Sequence, residues 1–154
     1  MKNDIYDSHT SSLLSANANI IALMAYVVST LLGWIPVLKY ASFFAPLLIF
    51  ILEKDSEFVR FHSMQAFLLN VVARVFNVIY SLLVKVSVVG VMFGIQHIET
   101  GLFSIGIASI VFIASLAINL AIFIFSIIAM IRAYQYTEYH IPLIGTWTER
   151  LITK

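Results

Sequence analysis

Four histidines, His9, His62, His97 and His140, are the side chains in this chain best suited to acid–base or metal chemistry. They are scattered, and no pair stands at metal-ligand spacing. His62 and Gln65 form an i, i+3 pair on one helix face, not a metal site. There is no cysteine, so thiol and disulfide chemistry are excluded. No glycine-rich phosphate loop or nucleophile elbow occurs. The expectation is therefore a protein with no catalytic residue, metal or cofactor. His62 is expected to be an interfacial hydrogen-bonding residue. Arg60 is expected to meet phosphate headgroups or neighbouring acids.

A second group of polar residues lies inside apolar sequence. Ser63, Asn70, Arg74, Asn77, Ser81 and Lys85 share one face of a predicted helix, at spacings of seven, four and three. Ser104, Ser115, Asn119 and Ser126 share a face of the last helix. Polar groups in a membrane segment are costly and usually face protein or water. One reading is a hydrated path along this face. The other is interhelical hydrogen bonding, with Arg74 and Lys85 snorkelling to opposite headgroup regions. The two are about 16 Å apart along a helix axis, so each would stand about 8 Å from the bilayer midplane.

The elements that must carry these residues are organised around the stretch 53–65, EKDSEFVRFHSMQ. Glu53, Lys54, Asp55, Glu57 and Arg60 crowd together there, between long apolar runs. That pattern marks a chain turning round in water between membrane crossings. The first span covers about 18–33, with a small-residue face of Ala18, Ala22, Ala25, Ser29 and Gly33 suited to close helix packing. Trp34 and Pro36 mark a turn. The run 37–52 is about 24 Å long as a helix and is expected to be a short span kinked by Pro46, with a re-entrant segment as the alternative. A long helix follows over about 58–94, about 55 Å if continuous. A polar loop is expected at 96–101 and a last span over about 102–131. The tail from 134 is aromatic and amphipathic, with Tyr134, Tyr136, Tyr139 and Trp147 suited to an interface belt.

Composition agrees with a membrane protein. Of the 154 residues, 61% are hydrophobic and 11% charged, with mean hydropathy +0.98. A soluble domain carries about 25% charged residues. Nine basic and eight acidic residues nearly cancel, which gives no case for a nucleic-acid partner. No cleavable signal peptide is expected. The expected fold class is all-α: an integral membrane four-helix bundle with a short, kinked second span and an amphipathic interfacial tail. Its divisions are a polar and mobile segment 1–17, a four-span domain 18–133 and the tail 134–154. Four crossings put Lys2, Lys54, Arg60, Arg132, Arg150 and Lys154 on one side and Lys39 on the other. The positive-inside rule makes the first side cytoplasmic, with both termini.

The hinge is also expected to dock the tail. Asp55 or Ser56 can cap a helical extension over 58–65, which presents Phe58, Phe61 and Gln65 with His62 beside them. The apolar turn 141–145 offers a matching surface with a proline-fixed backbone.

Three stretches, PLLIFILEKD, EFVRFHSMQA and YQYTEYHIPLIG, resemble the Tic-twenty-like family of small bacterial and chloroplast membrane proteins. The matching positions are Pro46, Lys54, Asp55, Phe58, Arg60, Phe61, His62, Gln65, Pro142 and Gly145. The resemblance implies a four-helix membrane domain and, from the plant members, a role in protein translocation. The overall expectation is a non-enzymatic polytopic protein of the bacterial cell membrane, an accessory or channel-like subunit of a membrane complex. Its partners would be lipid and membrane proteins or a second copy of itself. The alternatives are a small-solute or ion pathway and a membrane immunity or stress protein.

Overall fold

A computed structural model describes residues 4–94 and 98–152. Among the described residues the chain is all-helical, with no strand. It comprises α1 (Ala18–Trp34), a 3-10 turn (Leu38–Tyr40), α2 (Phe44–Leu52), α3 (Glu57–Phe93), α4 (Ile98–Tyr134) and α5 (Ile144–Ile152). It divides into two compact units, one formed by residues 1–71 and 124–154, the other by 72–123.

In the first unit α1 turns its small-residue face inward. Ala18, Ala22, Ala25 and Ser29 are buried, and α1 packs on the 3-10 turn and α2. Missing side-chain bulk is what allows the backbones to approach. The run 37–52 is not one kinked helix. It breaks into the 3-10 turn and α2, whose nine residues span about 14 Å, less than the roughly 30 Å of a hydrocarbon core. Pro46 does not kink α2. It is the third residue of that helix, where the missing N–H has no intrahelical partner to lose.

Ser56 caps α3 by accepting from the Val59 N–H at 3.2 Å. At the end of α4 the Thr137 N–H reaches the Arg132 carbonyl and the Tyr136 N–H reaches that of Ala133. This is a Schellman closure, with Tyr136 left-handed at φ 56° where glycine is usual. The ring that a glycine would lack stacks on Phe58, with centroids 5.8 Å apart.

The second unit is an antiparallel hairpin of 72–93 against 98–123. Gly94 meets Gly101 and Gly90 meets the Ser104 side chain, contacts that leave no room for a Cβ at Gly90 in α3 or at Gly94 just after it. The loop expected at 96–101 is shorter than its polarity implies. Residues 98–101 are already helical, while Gln96 and His97 lie outside the described residues. α3 and α4 have 37 residues each and are long and apolar enough to cross a membrane. Their most apolar windows are only 6% and 0% buried by protein. A helix left apolar on its uncovered faces needs lipid as its solvent.

Candidate functional site

The first unit gathers the N-terminal segment, the hinge and the tail into one polar cap. Glu53 is its anchor and is 2% exposed. Its carboxylate accepts from the Ser11 hydroxyl, from the Ser12 hydroxyl at 2.6 Å and N–H at 3.2 Å, and from the N–H groups of Asp55 and Ser56 at 3.1 and 3.0 Å. Burial pushes this carboxyl up, but the serine hydroxyls and backbone N–H groups outweigh it and hold the group down at about 2. His9 lies 2.9 Å from the Asp7 carbonyl through Nδ1 and 2.8 Å from the Ser56 hydroxyl through Nε2. Residues 4–17, expected to be mobile, are thus fixed. Ile5 bridges Thr137, the Tyr6 N–H reaches the Tyr136 carbonyl, and the Glu138 N–H reaches that of Asp4. A buried carboxylate and a stretch of tail backbone satisfy donors that water would otherwise take.

Beneath this lies a buried relay. Gln65 donates to the Tyr26 hydroxyl at 3.0 Å and to the Tyr139 carbonyl at 2.9 Å, and accepts from the Ile141 N–H at 3.2 Å. Tyr26 is 3.2 Å from His62 Nδ1, and His62 Nε2 is 3.3 Å from the Thr137 carbonyl. With the proton on Nε2, His62 accepts from tyrosine and donates to the tail, so both nitrogens are used. Phe58 and Phe61 flank it, and Phe61 meets the His140 ring at 4.8 Å. The hinge and tail therefore meet through Gln65 and His62, on the Ile141 N–H that opens the 141–145 turn and on the carbonyls of Thr137 and Tyr139 just ahead of it. The Arg60 guanidinium lies over the Phe50 ring at 5.1 Å, and its Nε is buried without a hydrogen-bond partner.

The tail is packed within the first unit. Ile141, Ile144, Gly145 and Thr148 are buried, while Pro142 is exposed. Of its aromatic residues Tyr134 and Trp147 are exposed, whereas Tyr136 is built into the cap. A Cβ at Gly145 would stand 2.7 Å from the His140 Cβ and 2.8 Å from its Cα. Glycine there lets His140 sit against α5. The His140 Nε2 lies 3.2 Å from Glu138 and 3.8 Å from Glu149. Burial, then Asp4 and Glu149, push the Glu138 carboxyl up, opposed by the Tyr6 hydroxyl and His140. Burial and the Glu138 carboxylate push the Tyr6 hydroxyl up in turn.

The residues of the expected polar face fall in both units. Asn70 donates to the Ser29 hydroxyl at 3.2 Å and to the Ala66 carbonyl at 2.7 Å, within the first unit. In the second unit Arg74 is half-buried and Asn77, Ser81, Lys85 and Asn119 are exposed. Asn77 and Asn119 donate to carbonyls one turn back in their own helices, at 2.8 Å each. A groove of about 490 Å³ in the hairpin is lined chiefly by valine, isoleucine and phenylalanine. Sequence reasoning gave Glu53 only as one of the hinge charges and Glu138 and Glu149 only as acids within reach of Arg60, and it missed Tyr26 and His140 as cap residues. The one available signal was Glu53 closing an apolar run, because its serine partners lie about forty positions away.

Comparisons with known proteins correct the resemblance. Residues 17–148 match the sequence model of the magnetosome magnetite crystal formation protein family. A UPF0132 membrane protein of Methanocaldococcus jannaschii is 31% identical over 115 residues, covering 74% of this chain and 65% of that protein. The chain thus spans just under two thirds of that relative. No solved structure matches. The Tic-twenty-like assignment is overturned, and the translocation role it implied goes with it. Its motifs were a proline near an apolar run, a charged hinge and an aromatic tail, features that many small helical membrane proteins need at an interface. The protein is a membrane protein, and with the match running from α1 through the cap to α5, the chain belongs to the magnetosome magnetite crystal formation protein family.

Proposed function

We propose that this is a non-enzymatic, multi-pass protein whose apolar hairpin lies in the bilayer and whose polar cap lies at the cytoplasmic surface. The observation that carries this reading is the contrast between two 37-residue apolar helices, almost uncovered by protein, and a cap in which three chain segments share buried hydrogen bonds. α3 and α4 each cross, α1 crosses, and the return through 35–52 is a broken segment held against α1. The six-to-one distribution of basic residues outside the spans supports a cytoplasmic cap. Lipid is the first partner. A second copy is the other, meeting the exposed Asn77, Ser81 and Lys85, which are costly to leave in lipid.

The family's description supports an accessory role in the membrane around a growing magnetite crystal. Such a role needs a membrane anchor, which the two long apolar helices supply. Expression of this chain in a magnetosome-forming cell lacking its own family member tests it. Restored crystal size in electron micrographs is the expected result. Unchanged defective crystals, with the protein present in the membrane, would remove the mineral role. An ion pathway is less well supported, because the exposed stripe encloses no polar lumen within the described hairpin.

A further inference from the structure

The cap also brings one histidine and two carboxylates together. Glu138 and His140 alternate along the extended stretch after α4, so their side chains leave the same face, and Glu149 approaches from α5. One ligand atom from each lies within 4.8 Å of the others. The His140 Nε2 is 3.2 Å from one carboxylate and 3.8 Å from the other. Donors placed tetrahedrally about 2.1 Å from a cation stand about 3.4 Å apart, between these two values.

We infer that Glu138, His140 and Glu149 form a binding site for a first-row divalent transition cation. An imidazole with two carboxylates suits Fe²⁺, Mn²⁺ or Zn²⁺ better than the all-oxygen shells of Mg²⁺ and Ca²⁺. The surroundings are those of a prepared site. The Glu138 side chain is 10% exposed, and its other oxygen accepts from the Tyr6 hydroxyl at 2.9 Å, which fixes its direction. His140 is held between the Phe61 ring and Gly145. Glu149 is 51% exposed, leaving one side open for water or an incoming ion. Asp4 adds further negative charge beside Glu138. This site stands on side-chain geometry alone and does not depend on the mineral role.

The test uses the full chain, free of any histidine tag, purified in detergent and stripped with chelator. Equilibrium dialysis against Zn²⁺, Mn²⁺ or anaerobic Fe²⁺, read by elemental analysis, should leave one ion per chain, with excess Mg²⁺ unable to displace it. Glu149→Gln and His140→Ala should each weaken binding at least tenfold, and Tyr6→Phe about tenfold through loss of carboxylate orientation. Zinc absorption spectra should show an oxygen-rich shell with one imidazole. If His140→Ala does not fold, Glu149→Gln, at a half-exposed position, decides alone. Absence of a retained ion in the unsubstituted protein, or retention unchanged in folded Glu149→Gln, overturns the site.

Discussion

Glu53 shows how much one side chain can do here. It joins the segment before α1 to the turn before α3, and its ionised form accepts every bond just described. A carboxyl held at about 2 against an ordinary 4.5 contributes stability that is complete above 4.5 and is lost as pH falls toward 2. Acid titration in detergent, followed by the emission of a fluorescent label at Ser8→Cys, should therefore show the N-terminal segment releasing across that window. Glu53→Gln should remove this transition and cost about 2 kcal/mol at neutral pH, since charge-assisted bonds are worth about 1.5–3 kcal/mol each. Gly145 is the second informative residue. Gly145→Ala must push backbone-proximal atoms of His140 aside, so it should cost about 1–3 kcal/mol and displace the tail. Protease cleavage within 140–150 should accelerate.

At the scale of elements, the α3 start and the tail are one construction. Gln65 uses both amide hydrogens and its oxygen on partners from α1 and the tail. Gln65→Leu keeps the volume but leaves the Tyr139 carbonyl and the Ile141 N–H buried without partners. A loss of about 3 kcal/mol is expected from denaturant titration, at about 1–3 kcal/mol per orphaned group. The hairpin depends on small residues instead. Gly94→Leu cannot be accommodated against the Gly101 backbone. It should separate the helices near their turn while leaving the cap intact, so a spin-label pair at Val91 and Phe103 should broaden and lengthen in distance. An unchanged distance would show that the glycine contact does not hold the hairpin together.

At the scale of the whole molecule, contacts among the N-terminal segment, the hinge and the tail require all three to lie on the same side of any membrane that the chain crosses. Single cysteines test which side that is. Ser56 is buried and would be protected whatever the topology, so Asp55 and Leu151, both exposed, are the positions to use. Impermeant maleimide should leave both unlabelled in intact cells and label Glu99→Cys. Labelling at Asp55 and Leu151 but not at position 99 would invert the orientation.

Composition and hydropathy alone were enough for the membrane class, the all-helical fold and the two long helices, because a run of apolar residues has no other stable solvent. Order along the chain also placed the hinge and the start of α3 to within a residue, since Ser56 caps where charge gives way to apolar sequence. The family was not legible from short motifs, which answer to the interface more than to descent. What only the tertiary structure decided was the use of polar residues. Ser11 and Ser12 meet Glu53, His62 meets Thr137, and Glu138 meets His140 and Glu149. Apart from Glu138 and His140, which alternate along one extended stretch, these partners are far apart in sequence and follow no helical or strand period. Hydrophobic burial leaves a periodic trace along a chain, whereas a hydrogen bond between distant loops leaves none. The place of Pro46 followed the same rule: sequence alone did not decide whether the proline kinks a helix or sits in its first turn, as it does in α2.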